Sequence, residues 1–282
     1  MSLENIREKL IEKKLSTLEY FKLAFETFKN FWKENTLMMV SIFAFIIVSI
    51  IMKIVNLTLD EELLVYFRAS KIMILWAKIF NVLDVIISIA SIFVTVYFFR
   101  KVALTIEGNK KNLKLKELFS KASVLVVIFF VAGIIITRIE NSIVGVIFLI
   151  IFSIVSFCIA IWAFWYFEAY YIPNVGLMES IDYSLNLSDG NRIRKFLPGL
   201  IIALGILIFN IMTNIFFNIL NIENFVVNLI VVFIFVMILS LFVMYLQILD
   251  IIIFLNVEYD YLGGNLNEEL KFGIKNNSHE NN

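Results

Sequence analysis

Three asparagines, Asn210, Asn214 and Asn218, recur at every fourth residue of an otherwise apolar run, and one acid, Asp84, stands inside another such run. A helix in lipid uses side chains of this kind to hydrogen-bond a neighbour, to carry a proton or to line a path for an ion, because the bilayer penalises them otherwise. The asparagine spacing places all three on one helical stripe, and interhelical hydrogen bonding explains such a stripe better than conduction does. Asp84 has a counterpart in Lys53, at the matching end of the preceding apolar run. Three roles stay open for it: an ion pair locking the first two runs together, an interfacial acid meeting water, or a proton or ion relay.

Catalytic signatures do not accompany these residues. The chain contains no HExxH, CxxC, Walker loop or GxSxG, and its one histidine, His279, lies in a polar tail. Cys158, the one cysteine, falls in an apolar run and reads as a small buried residue. Glu168, Glu179, Asp182, Asp189 and Asp250 share one side of the membrane in the expected layout, which raises an all-carboxylate site, but scattered loop acids read as solvated surface. The expectation is a protein that is not an enzyme, without catalytic residues, cofactor or metal.

The elements that must position these residues follow from composition. The 282 residues are 61% hydrophobic and 17% charged, with a mean hydropathy of +0.90, which makes the bilayer the solvent. Lys and Arg equal Asp and Glu at 24 each, so no uniformly basic surface for nucleic acid is implied. A helix needs about 20 residues to cross the hydrocarbon core, and six runs qualify: 36–55, 80–99, 122–137, 143–167, 200–220 and 225–249. The third is short, yet Arg138 and Glu140 confine the turn after it and make the third and fourth a closed hairpin. All six read as helices, since their runs lack the alternation of a barrel strand.

Six spans put both termini on one side. Nineteen of the 24 basic residues fall in the N-terminal arm, the 100–121 and 168–199 loops and the tail, against Lys53, Arg68, Lys71, Lys78 and Arg138 on the other side. The positive-inside rule then makes the termini cytoplasmic in a multi-pass protein of the plasma membrane. Trp162, Trp165, Tyr166, Tyr170 and Tyr171 read as an aromatic belt at the inner end of the fourth span. The first 35 residues carry thirteen Lys, Arg and Glu and no early apolar block, which speaks against a cleaved secretory signal.

Between the spans lie stretches of a different kind. "LEYFKLAFETFKNFWK" (18–33) lies over "MESIDYSLNLSDGNRI" (178–193) at a shift of 160 residues, and "LKLKELFSKAS" (113–123) occupies the same place before the third span. The pattern reads as three units, each an interfacial helix followed by a transmembrane hairpin. In the first, Ser16 and Glu19 form a capping box, and Phe21, Ala24, Phe25, Phe28, Phe31 and Trp32 share an apolar face. In the last, Leu177, Met178, Ile181, Ser184 and Leu185 form the buried face, the Ser188-Asp189-Gly190-Asn191 break ends the helix, and Arg192, Arg194 and Lys195 lie at the headgroups. Arg194 is further expected to bear on lipid or on Glu168 and Asp250. For residues 58–79 the expectation is a helix on or rising from the outer surface, continuous with or sharply bent into the second span.

An amphipathic segment, a helix-ending Ser-x-Gly-Asn and a basic, aromatic approach to the fifth of six helices resemble the membrane domain of glycerophosphoryl diester phosphodiesterases and related uncharacterised six-helix bacterial membrane proteins. The resemblance spans about residues 16–255. It implies the fold and the membrane location. It implies no phosphodiesterase activity, because that chemistry belongs to a separate soluble domain whose histidines this chain lacks.

The sequence therefore gives an all-α polytopic protein with an amphipathic arm over 1–35, a six-helix transmembrane domain over 36–255 and a polar, disordered cytoplasmic tail over 256–282. Its expected function is non-catalytic: it binds or organises lipid, anionic on the cytoplasmic face, or docks a membrane partner, through Phe21, Phe25, Phe28, Trp32, Ile181, Leu185, Arg192, Arg194 and Lys195. The alternative is a small transporter or channel using Lys53, Asp84, Asn210, Asn214 and Asn218.

Overall fold

A computed structural model describes residues 3–66, 71–108, 115–124, 126–127, 165–173, 175–220 and 225–277; over 56–66, 71–74, 209–210, 213–220, 225–226, 228–229 and 264–277 it describes the backbone alone. Every regular element among these residues is a helix: α1 (Leu3–Glu12), α2 (Thr17–Glu34), α3 (Thr36–Tyr66), α4 (Lys71–Ile106), α5 (Tyr166–Tyr171), α6 (Leu177–Ser188), α7 (Arg192–Leu220) and α8 (Phe225–Asn277). Residues 115–124 are helical as well. Three helices among the described residues are long and apolar enough to cross a membrane, over Thr36–Val55, Leu75–Ile106 and Ile230–Gly263. The expected third and fourth spans lie almost wholly outside the described residues, as do Arg138 and Cys158.

Local sequence explains where the helices begin and stop. The Ser16 backbone N–H and hydroxyl both donate to Glu19 Oε2, at 2.8 and 2.9 Å, so the expected capping box starts α2. Glu179 does the same for α6, accepting the Gly176 N–H at 2.9 Å. The break after α6 turns on Gly190, whose φ of +70° is open to glycine at little cost. The Asn191 amide N–H then donates to the Ser188 carbonyl at 3.2 Å, and α7 restarts one residue later.

Two boundaries differ from the sequence reading. After the first span, α3 continues unbroken to Tyr66, so residues 58–66 prolong the first span's helix, while residues 71–79 are the first turns of α4 and continuous with the second span as expected. No tail begins at 256. α8 continues to Asn277, and its residues 256–261 are packed against other elements: Asn256, Val257 and Glu258 are buried, and Tyr259 and Tyr261 pack on the main core. Apolar and hydrogen-bonded contacts on both sides of that stretch keep it helical despite its polarity.

That core sits at one end of the bundle. α3 and α4 pack on one another and on α8, while α1 and α2 cross the α8 end and α5 packs against α6 and α4. Edge-to-face aromatic pairs join the layers: Phe31 of α2 with Phe98 of α4 at 6.1 Å, and Phe99 of α4 with Phe167 of α5 at 5.3 Å. Ile6, Leu10, Ala24, Phe31, Ile106, Trp165 and Phe254 are sealed there, whereas Val82 and Ile86 of α4, Leu204 and Leu207 of α7 and Ile234 of α8 are exposed. The hydrophobic effect accounts for the asymmetry. Burying a large apolar side chain away from water stabilises by about 1.5–3 kcal/mol; in lipid that driving force between helices vanishes, so a helix suited to cross a membrane gains nothing by sealing every apolar side chain inside.

Candidate functional site

The collar of short helices is fastened to the spans through one carboxamide. Asn256 Oδ1 accepts the Leu15 backbone N–H at 3.2 Å, the Tyr20 hydroxyl at 2.8 Å and the Arg194 Nη2, while its Nδ2 donates to the Leu10 and Lys13 carbonyls at 2.7 and 3.0 Å. The last carbonyls of a helix lack partners within it, so Asn256 serves as a tertiary C-cap for α1 and pins the turn into α2. Arg194 completes the node. Its Nε donates to the Tyr20 hydroxyl at 2.9 Å and its Nη1 to Asn191 Oδ1 and Asp260 Oδ2, each at 3.1 Å. Asp260 also meets Lys14 at 3.0 Å. Burial pushes the Tyr20 hydroxyl above its ordinary pKa, against the opposing pull of the Arg194 guanidinium, so it stays a neutral donor.

A second cluster lies beside the first. Lys195 Nζ stands 2.5 Å from Glu168 Oε1 and 4.8 Å above the Trp165 ring, and the Trp165 backbone N–H donates to Ser184 Oγ at 3.0 Å. On the outer side Tyr183 donates to Glu258 at 2.7 Å, and burial, reinforced by the Glu258 charge, raises the Tyr183 pKa well above the usual phenol range. Lys121, before the third expected span, donates to the Tyr170 and Val175 carbonyls at 3.3 and 2.5 Å, and burial lowers its pKa. Every short helix of the collar is thus tied to a neighbour by charge-assisted or buried hydrogen bonds.

Several expected lipid contacts turn inward. Arg194 and Lys195 are largely buried and paired within the protein, and only Arg192 of the three basic residues is exposed. Arg194 reaches Asp260, and it is Lys195 that reaches Glu168. Trp165, Tyr170 and Tyr171 belong to the core and not to a belt. The buried stripe of α2 is Tyr20, Leu23, Ala24, Thr27 and Phe31, with Phe21, Phe28 and Trp32 half-buried beside it and Phe25 exposed. α6 is rotated likewise: Ser180, Ser184, Leu187 and Ser188 face in, Ile181 is half-buried, and Met178 and Leu185 face out. Small serines permit a close approach to α5, which large residues on that face would block. Glu179, Asp182 and Asp189 are exposed as expected, but Glu168 is buried and Asp250 half-buried.

Within the spans, a cavity of about 200 Å³ opens between α3, α4 and α8. Ser49, Lys53, Ser88, Ser91, Thr95 and Gln247 are its polar lining, so the serine and threonine stripe of α4 faces a cavity. The Lys53–Asp84 ion pair is not among those of the described residues. Asn210, Asn214 and Asn218 lie on the backbone of α7, with side chains outside the described residues. Among the described residues no three His, Cys, Asp or Glu side chains are grouped to hold a metal ion.

The polar hub escaped sequence reasoning. Asn256 and Asp260 sit one turn apart just past an apolar run, a spacing that could have marked them, but nothing in the sequence shows Leu10, Leu15 and Tyr20 converging on the same point. No protein-family model, curated protein or solved structure matches the chain.

Proposed function

We propose that this chain is a non-catalytic, multi-pass protein of the plasma membrane whose collar of short helices lies in the cytoplasmic headgroup layer and binds or organises lipid there. Six spans, cytoplasmic termini and membership among the membrane domains it resembles are parts of the same reading. The observation that carries it is the outward face of the collar. Leu18, Phe25, Met178, Ile193 and Phe196 are exposed by 79, 61, 72, 73 and 59% on helices gathered where the spans end. Large apolar side chains grouped on rigid helices at that level mark an interface with lipid or a membrane partner.

The three-unit organisation has support in register. α2 starts at Thr17 and α6 at Leu177, each with a glutamate at its third residue closing the turn before it, 160 residues apart. Tyr20 and Ala24 are buried in the first; Ser180 and Ser184 are buried at the same positions of the last; Leu118 and Ala122 repeat the pair in the segment between. One docking mode, a small residue one turn after an anchor, serves all three.

The test is lipid retention. Delipidated protein in mild detergent, exposed to phosphatidylglycerol, should carry one or more lipids by native mass spectrometry and gain thermal stability. Protein that stays lipid-free and unshifted would defeat the reading. The transporter alternative draws on the polar cavity beside Lys53 and Gln247, and solute flux into proteoliposomes that Lys53→Met abolishes would favour it.

A further inference from the structure

The cluster around Lys195 sets two carboxyl groups beside one ammonium. Among the described residues Glu168 and Asp250 are the two carboxyl groups of this cluster, and Lys195 is the cation whose field reaches Asp250. Lys195 bonds Glu168, whereas no hydrogen bond or ion pair joins Asp250 to any other described residue; the second oxygen of Glu168, Oε2, is buried without a partner. A carboxylate in an apolar surround is costly unless a positive group answers it.

Asp250 also faces space. A groove of about 360 Å³ runs between α7 and α8 with Asp250 in its wall, flanked by Lys195 at its head and lined beyond by Gly199, Leu200, Ala203 and Ile253. A Cβ built on Gly199 meets nothing within 4 Å, so the groove is open on that side. Pro198, in the same wall, has no N–H to offer the Arg194 carbonyl one turn back, which adds an acceptor without its helical donor at the groove's head. Acceptors at one end and an apolar trough at the other describe a ligand with a cationic head and a hydrocarbon chain.

We infer that this groove binds a membrane lipid through a primary ammonium headgroup, the ammonium donating to Asp250 and the acyl chain lying along Leu200, Ala203 and Ile253. The inference rests on the lipid-binding reading above and narrows it to a headgroup class. A bare metal ion fits poorly, since hard cations take six or more oxygens and Asp250 is the one carboxylate in the wall. A quaternary ammonium has no N–H to give, and it favours aromatic cages; the indole beside the site already carries Lys195.

The test compares phosphatidylethanolamine, phosphatidylcholine and phosphatidylglycerol of identical chains on the delipidated full chain, read by native mass spectrometry. The wild type should retain the ethanolamine lipid about tenfold better than the choline lipid, the effect of one charge-assisted hydrogen bond. Asp250→Asn should erase that preference and leave phosphatidylglycerol retention unchanged. Gly199→Leu, which fills the groove and raises helix propensity, should lower ethanolamine-lipid retention and keep the fold, and it decides the matter if Asp250→Asn does not fold. Equal retention of the two zwitterionic lipids, or a preference that survives both substitutions, overturns the inference while phosphatidylglycerol binding leaves the broader reading standing. Loss of all lipid binding in the wild type overturns both.

Discussion

Asn256→Ala tests whether one side chain fastens the collar. Truncation removes five hydrogen bonds. Two of the former partners are cushioned: Tyr20 still receives the Arg194 Nε, and Arg194 keeps Asp260 and Asn191. Three backbone groups are stranded, the Leu10 and Lys13 carbonyls and the Leu15 N–H. Each buried orphan costs about 1–3 kcal/mol, and water reaching the exposed Lys13 turn lowers the sum to about 3–4 kcal/mol. The reference is Lys14→Ala, which removes an ion pair between a 70% exposed lysine and Asp260 and should cost at most about 1 kcal/mol. Denaturant titration in a fixed micelle gives the two values, and amide exchange should quicken over α1 and the 13–16 turn before the spans open. If Asn256→Ala costs no more than Lys14→Ala, or if α1 keeps its protection, the node is not the fastener.

Three further outcomes follow from local geometry. Gly190→Ala should destabilise by about 1–2 kcal/mol although nothing crowds its Cβ, because the penalty lies in a φ of +70°; an unchanged midpoint would show that the turn relaxes freely. Lys13 and the Ser16 donors hold the exposed Glu19 carboxyl down to about 2 from 4.5, so its contribution is full above pH 4.5 and is lost as pH falls through 2. The melting-point gap between wild type and Glu19→Gln should close over that window, and a gap constant from pH 6 to pH 2 would contradict the capping role. In a Cys158→Ser background, Glu62→Cys should react with an impermeant thiol reagent on intact cells while Asn112→Cys and Asp189→Cys should not, and labelling at 112 would reverse the orientation.

What was legible in the sequence was what depends on neighbours in sequence. The Ser16–Glu19 capping box, the Gly190 turn and the apolar character of α3, α4 and α8 are local or compositional, and the chain adopts them, with the first span at the bounds read and the other two longer than read. Which way the amphipathic helices face was not legible. Phe25 and Tyr20 are both aromatic, and only the presence of Asn256 and Arg194 decides that Tyr20 goes in. The basic cluster 192–195 failed for the same reason: Arg192 points to solvent, but Glu168 and Asp260, distant in sequence, draw Lys195 and Arg194 inward. A polar stretch after an apolar run reads as a tail when its partners are more than 200 residues away, as Leu10 and Leu15 are from Asn256.

The central claim, that the collar lies in the headgroup layer with its apolar face toward lipid, is tested most directly by spin labels at Leu18, Phe25 and Met178 in reconstituted vesicles, with Asp182 as the exposed polar reference. Relaxation by oxygen should exceed relaxation by a water-soluble nickel chelate at the three apolar sites, placing them at or just below the phosphates, and the order should invert at Asp182. Free access of the nickel chelate to positions 18, 25 and 178 would put the collar in water and contradict the account.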